Sequence, residues 1–357
     1  MTEKYIITDY YSVGGKVKKP NKLQRGDTIA TISPSWGCAG TPRVIWQYKL
    51  GCERLKELGL NVIAAPNSMK GTAYLDQNPQ ARAEDINWAF ENKEVKAIIS
   101  NIGGNDSARL FPYLSKNIIK NNPKIFCGYS DVMSLHLFCY RLGLMTFYGD
   151  NLLTTIAENP RWHPYSEYWF KKTFFDASPI GEIFPSDEWS YDPNKHTDKS
   201  YTKTFILNKG IRKIQGEGIA RGKLFGGHGD LIHIKDSNGQ FLVRDEDFKD
   251  SILFFEDIPE VSDVNYIKCF FDCLGERGYL HLVNGIIIGK MRSPNSFKPY
   301  INAIKEIVAE KYGLTNLPIL YDMNFGHSSP IFILPYGAKA ELDIDNLKFT
   351  ILENGVM

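Results

Sequence analysis

Between residues 28 and 150 the chain alternates short runs that are apolar throughout with longer amphipathic stretches, and this rhythm restricts its fold more than any other feature. TIATIS (28–33), NVIAA (61–65), VKAIIS (95–100), KIFC (124–127) and MTFYG (145–149) have the length and the β-branched or aromatic content of strands. Helical spacing lies between them: over 42–58 with Val44, Tyr48, Leu55 and Leu58 on one side, over 79–92 opening at Pro79, near 106–113, and over 131–143. A strand without polar alternation has no face for water, so both faces need cover. Such strands alternating with helices predict an α/β fold with a parallel sheet between helical layers.

Residues 151–215 break the rhythm. RWHPYSEYWF and PSDEWSYDPNKHTDKS mix aromatics with turn formers, which suggests an ordered connector and not a disordered tail. After residue 215 the pattern resumes less regularly, with strands predicted at SILFFED (251–257), YLHLV, NGIIIGK (284–290) and LPILYDM (317–323). Helices are predicted over VNYIKCFFDCLGERGYL, ending near Gly275, and over 298–312, while IFILP, AKAELDI and LKFTILEN read as short β segments. With 357 residues, at roughly 100–200 per domain, two domains are expected. The divisions fall at 1–175 for an N-terminal α/β unit, 176–215 for the aromatic connector and 216–357 for a β-rich C-terminal unit.

Charge and hydropathy exclude several classes. The 42 Lys and Arg offset 41 Asp and Glu, so no broad basic field invites nucleic acid. Mean hydropathy is −0.28, and no apolar run approaches the roughly 20 residues that cross a bilayer. The start MTEKYIITDYYSVGGKVKKP lacks an apolar secretory region, so a cytoplasmic protein is expected. The cysteines are Cys38, Cys52, Cys127, Cys139, Cys269 and Cys273. None forms a Cys-x-x-Cys pair, and Cys269 and Cys273 have no second ligand pair nearby, so they read as reduced, buried thiols and not as a metal site.

The sharpest local feature is PKIFCGYSDVMSLHLF. An apolar strand ends at Cys127, Gly128 and Tyr129 turn the chain, and a helix starts near Asp131. Ser130 therefore occupies a strand-to-helix corner, with unpaired helical N–H groups beside its hydroxyl. This is the logic of a nucleophile elbow, although Val132 stands where a second glycine is usual. Ser130 could equally cap the helix. A serine nucleophile needs a base with an orienting partner. His327 in NFGHSSP follows a strand and a glycine turn, where open α/β sheets gather function, or it is a loop histidine bonded to backbone. Glu256 ends SILFFED after four apolar residues, so it must be paired or face a cleft, unless it is an ordinary strand-edge acid. His136 reads as packed, His163 and His196 as solvated, and His228 and His233 follow the glycine turn LFGGHGD.

Gly103 and Gly104 in IISNIGGNDSARLF lie between a strand and a helix, so their amides can approach a ligand closely. Neither phosphate-loop spacing is present. An oxyanion-binding turn suits the pair better. LFGGHGD is either substrate-lining or a helix entry.

Taken in order, LQRGDTIATISPS, IGGNDSARLFPYL, PKIFCGYSD, GKLFGGHGDLI, ILFFEDIPE and FGHSSPIFILPYG resemble the serine peptidases that include LD-carboxypeptidases and the microcin-C self-immunity peptidases. NPKIFCGYSD, LMTFYGD, Ile-Gly-Gly in place of Arg-Gly-Gly and the long connector are more similar to the immunity branch. The resemblance implies a Rossmann-like N-terminal domain with a parallel sheet, a smaller β-rich α/β C-terminal domain and a cleft at their interface. It implies a triad of Ser130, Glu256 and His327, an oxyanion hole from the Asp131 amide and one from the Gly103-Gly104 turn, a homodimer, and no metal or cofactor. Ser35, Asn105, Gly227 and His228 fall among the substrate-lining positions it implies. An aromatic of the connector, Trp189 or else Phe184, would stack on a nucleotide base. The expected substrate is a small peptide-like or aminoacyl-nucleotide molecule cleaved at an amide-type bond. Alternatives are a murein tetrapeptide carboxypeptidase, a silent binding homologue, and an amidotransferase using Cys127. Two positions depart from the family pattern: Gly226-Gly227-His228 replaces its usual GGN, and Gly149-Asp150 replaces Gly-Pro.

Overall fold

The computed structural model describes residues 17–258, 262–291 and 293–357, so most of the stretch MTEKYIITDYYSVGGKVKKP, on which the reading of a missing secretory region rests, lies outside them. The alternating segment forms the first sheet. Its order is Leu334–Pro335, Phe147–Tyr148, Ile125–Gly128, Val95–Ser100, Thr28–Ile32, Asn61–Ala64. The last five are parallel, and only Leu334–Pro335 runs antiparallel. Ile98, Ile99, Ile125 and Phe126 are fully buried, as strands covered on both faces must be. The connections out of Thr28–Ile32 and Val95–Ser100 leave on opposite sides of the sheet, so their loops diverge and open a crevice above the strand ends.

The second sheet has eight strands in the order Gly181–Glu182, Lys348–Ile351, Lys339–Asp343, Ile219–Gly227, Ser251–Phe255, Gly285–Gly289, Ile319–Met323, Arg212–Gln215. The four from Ile219–Gly227 to Ile319–Met323 are parallel, and the flanking pairs are antiparallel. The connector thus contributes a strand to each edge of this sheet. Its remaining paired strands, Glu188–Trp189 and Ile206–Leu207, form a ribbon of their own.

The sheets are joined by buried aromatics. Tyr336 follows the strand lent to the first sheet, donates its hydroxyl to the Gly226 carbonyl at 2.8 Å, and packs against Phe225, Phe254 and Tyr148. Such rings add roughly 0.5–1.5 kcal/mol per pair beyond their burial.

Some expectations need correction. His281 lies in the short helical turn Tyr279–His281 and not on a strand. Residues Ser107–Tyr113 form a tight 3₁₀ turn, where Pro112 has no N–H to extend an α-helix. Cys269 is exposed on the helix Val264–Glu276, while Cys38, Cys52, Cys127 and Cys139 are buried as free thiols. Among the described residues no helix is long and apolar enough to cross a membrane.

Candidate active site

The strand Ile125–Gly128 delivers Ser130 into the turn Ser130–Val132, directly before the helix Met133–Arg141. Ser130 holds φ at +65°, a left-handed backbone that is uncommon outside glycine and is kept where surrounding bonds over-determine it. The capping alternative does not hold. The Ser130 hydroxyl meets His327 Nε2 at 3.0 Å, and no side-chain bond caps either the turn or the helix after it.

Glu256 and His327 come from the second sheet. Glu256 follows Ser251–Phe255, and its backbone N–H donates to the Gly227 carbonyl at 3.0 Å. Gly326, at φ +89°, turns the chain so closely over Glu256 that a Cβ there would collide with the carboxylate. The acid Oε2 accepts the His327 backbone N–H at 3.0 Å and Nδ1 at 2.7 Å. A carboxylate only accepts, so Nδ1 carries the proton and Nε2 is left to accept from the serine hydroxyl. Burial drives the fully buried Glu256 carboxyl upward. The charge and hydrogen bond of His327, helped by His228 and Tyr148, outweigh burial and hold it below its ordinary value.

Tyr148 is a site residue that the sequence did not announce. The Ser130 N–H donates to its phenolic oxygen at 3.1 Å, and its own O–H donates to Glu256 Oε1. It ends the strand Phe147–Tyr148 beside Gly149. An aromatic at a strand's carboxyl end was the available signal; nothing local points to a partner 108 residues away.

The Gly103-Gly104 turn crosses directly over the serine. A Cβ on Gly103 would stand 2.7 Å from Ser130 Cβ and 2.9 Å from its Oγ, and one on Gly104 would collide with Ser35. Ser35 is buried and committed to this loop: its hydroxyl accepts the Asn105 N–H at 3.0 Å and donates to Asp106 Oδ1 at 3.2 Å. Asp131 Oδ2 accepts the N–H groups of Asp106 (3.0 Å) and Ser107 (2.8 Å), tying the Ser130 turn to the glycine loop. Buried Arg82 forks onto Asp106 at 2.7 and 2.9 Å. Beside this loop Ser35, exposed Trp36, Gly104 and Asn105 line a cavity of about 400 Å³ in the crevice of the first sheet.

The remaining expected residues are placed differently. His228 is buried; its Nδ1 accepts the Asp230 N–H at 3.4 Å at the entry to the turn Gly229–Ile232, so LFGGHGD is a helix entry next to Glu256. Burial lowers the His228 imidazole's pKa, against the pull of Glu256 and Asp230. Gly227 lies where a Cβ would strike Met133. Trp189 is only 3% exposed, stacked on Phe297 at 6.1 Å with the Lys290 ammonium 4.9 Å from its ring. Phe184 rests on Tyr165, Tyr168 and Trp169 around the helix Pro164–Phe174. His163 and His196 are half-buried: the first caps that helix, and the second bonds Gln47 at 2.8 Å and meets Trp36 edge-on. His136 is buried with Nε2 2.8 Å from the Gly128 carbonyl. Cys127 is buried with its thiol against the Asp150 carbonyl, and burial pushes its pKa well above the ordinary value, which removes it as a nucleophile.

Comparison with known proteins identifies the relatives of this chain. Residues 29–149 match the LD-carboxypeptidase N-terminal domain and residues 221–342 the LD-carboxypeptidase C-terminal domain. The putative carboxypeptidase YocD of Bacillus subtilis is 30% identical over 326 residues, covering 90% of this chain and 95% of the relative. The crystal structure of an MccF-like protein from Streptococcus pneumoniae in complex with AMP superposes with a TM-score of 0.81 at 30% identity, covering 91% of this chain and 98% of that one. The microcin C7 self-immunity protein MccF in complex with aspartyl sulfamoyl adenosine gives a TM-score of 0.81 at 26% identity, covering 95% and 100%. An α/β fold shared along nearly the whole chain, with both domain signatures in order, places this protein in the LD-carboxypeptidase family of serine peptidase hydrolases.

Proposed function

We propose that the chain hydrolyses an amide-type bond in a small peptide-like or aminoacyl-nucleotide substrate of the microcin-C kind, so that it can give self-immunity to such an antibiotic. The observation that carries this reading is the unbroken line Ser130 Oγ–His327 Nε2 at 3.0 Å and His327 Nδ1–Glu256 Oε2 at 2.7 Å. Ser130 attacks the carbonyl carbon as His327 Nε2 takes its proton. The amides of Asp131 and of the Gly103-Gly104 turn receive the oxyanion. The imidazolium returns the proton to the leaving nitrogen, and water then repeats the sequence on the acyl-serine. Glu256 remains ionised and fixes the tautomer, consistent with a carboxyl held below its ordinary value. Tyr148 positions both the acid and the serine backbone. The protein works as a cytoplasmic homodimer in this reading, which rests on the family resemblance.

The test is to offer aspartyl sulfamoyl adenosine and a murein tetrapeptide in parallel, following free amino acid by mass spectrometry. Aspartate release at a kcat/KM at least about tenfold higher than tetrapeptide trimming is expected, with Ser130→Ala inert. Preference for the tetrapeptide would move the protein to cell-wall recycling. Turnover persisting in Ser130→Ala, or no turnover and no fluorophosphonate labelling of Ser130, would overturn the mechanism.

A further inference from the structure

A second groove, of about 340 Å³, lies between the connector ribbon and the helix Phe297–Lys305. Neither Ser130, Glu256 and His327 nor the glycine loop lines it. Its walls are flat and apolar: Trp189 stacks on Phe297, Tyr321 stands edge-on to Phe297 at 6.2 Å, and Leu207 is 77% exposed at the rim.

Its charges do not balance. Asp322 is the one carboxylate lining it among the described residues. It is fully engaged: buried Lys290 donates to Oδ1 at 2.7 Å, and Arg212 Nε lies 3.3 Å from Oδ2. Asp322 holds φ at +70°, so the backbone itself is bent to present this acid. Beyond that pairing, Arg212 and two lysines face the same space. The Arg212 guanidinium lies over Phe297 at 5.5 Å and Tyr321 at 5.9 Å, and its terminal nitrogens carry no hydrogen bond among the described residues. Lys209 and Lys298 line the rim, exposed and without an ion pair among the described residues. A purely structural ion pair needs one cation for its acid. Here a half-buried guanidinium already stacked on two rings keeps its fork of donors turned to no partner, where a planar anion could accept both.

We propose that this groove is a binding site for a small organic anion, one phosphate or carboxylate group carried on a flat apolar body. The anion sits on Arg212, Lys209 and Lys298, and the flat body lies along Phe297, Tyr321 and Leu207. At about 340 Å³ the groove holds a single-ring compound, near the lower end of the roughly 300–1,000 Å³ typical of ligand sites. This site does not depend on the hydrolytic reading.

Calorimetry with the full chain tests it, using phenyl phosphate and benzoate as probes and phenol and inorganic phosphate as their separate halves. At low salt, phenyl phosphate or benzoate should bind with Kd at or below about 1 mM, at least tenfold tighter than either half, and more weakly as salt shortens the screening length. The two probes separate the phosphate and carboxylate sources. Arg212→Gln should weaken binding at least about tenfold by removing the bidentate donor. Lys209→Ala/Lys298→Ala alters only exposed side chains and should weaken it several-fold, which keeps the test sound if Arg212→Gln misfolds. Ser130→Ala should bind as the parent does. Binding no tighter than that of the halves, or unchanged in both cation variants, would overturn the proposal.

Discussion

The wall around Ser130 and the wall built by the connector solve opposite problems. Around Ser130 a set of polar groups brace one another: the serine amide on Tyr148, the Asp131 carboxylate on two loop amides, the Ser35 hydroxyl on Asn105 and Asp106, and Arg82 behind them all. In the connector, Trp189 is spent on packing and Phe184 is half-exposed, while Lys209 and, on the facing helix Phe297–Lys305, Lys298 extend into solvent. The first wall is over-determined, so its atoms stay where a reaction needs them. The second has side chains that can change without moving those atoms. The braced wall and the variable wall are thus separable parts of the molecule.

Four substitutions would break or sharpen that contrast. Glu256→Gln should be the most severe: it leaves the shape and removes the charge that fixes the His327 tautomer, so kcat should fall by about 10⁴-fold while KM holds. A loss below tenfold in steady-state kinetics would show that the acid is not the orienting partner. Gly103→Ala comes next, because the added methyl must displace Ser130; kcat should drop by about 10²-fold with little change in melting temperature. In the connector, Trp189→Ala should cost about 3–5 kcal/mol in denaturant unfolding, as a buried aromatic does, yet leave turnover per folded molecule within a few-fold. Phe184→Ala, half-exposed, should cost less than Trp189→Ala; equal costs would mean the connector is as tightly specified as the serine wall.

The smallest effect concerns Asp150, where the family pattern has proline. Burial, with Glu158 nearby, pushes this carboxyl up to about 8. It is therefore protonated in the fold at pH values where the unfolded chain has already released the proton. Its favourable contribution is complete below the unfolded value near 4 and is lost as pH rises toward 8. Asp150→Asn should thus be more stable than the parent at pH 8 and differ little from it at pH 4, read from urea unfolding at both. An equal difference at both pH values would show that the carboxyl is not held buried as it is in this structure.

Where the signal is local, the sequence was readable. VKAIIS is the strand Val95–Ser100 residue for residue, because its covered faces leave an unbroken apolar run. The Ser130 corner followed from one strand, one glycine and one helix start. What escaped depends on distant partners. Tyr148 looked like one more apolar strand residue until Glu256 met its hydroxyl. Ser35 was expected to line the substrate site, although it lines the cavity only while its hydroxyl braces the loop. His196 read as solvated because nothing in PNKHTDKS shows that Gln47 and Trp36 receive it. Leu334–Pro335 crossing to the first sheet is a fact of topology that no window of residues contains.

One phenol joins the amide of the proposed nucleophile to the acid proposed to steady its base, and the amide and the acid belong to different sheets. If the lobes drift apart, this clasp is among the first things to open, and the hydroxyl loses its alignment before either core is exposed. Each molecule is in that sense its own quality gauge: a copy that still turns over is one whose lobes are seated.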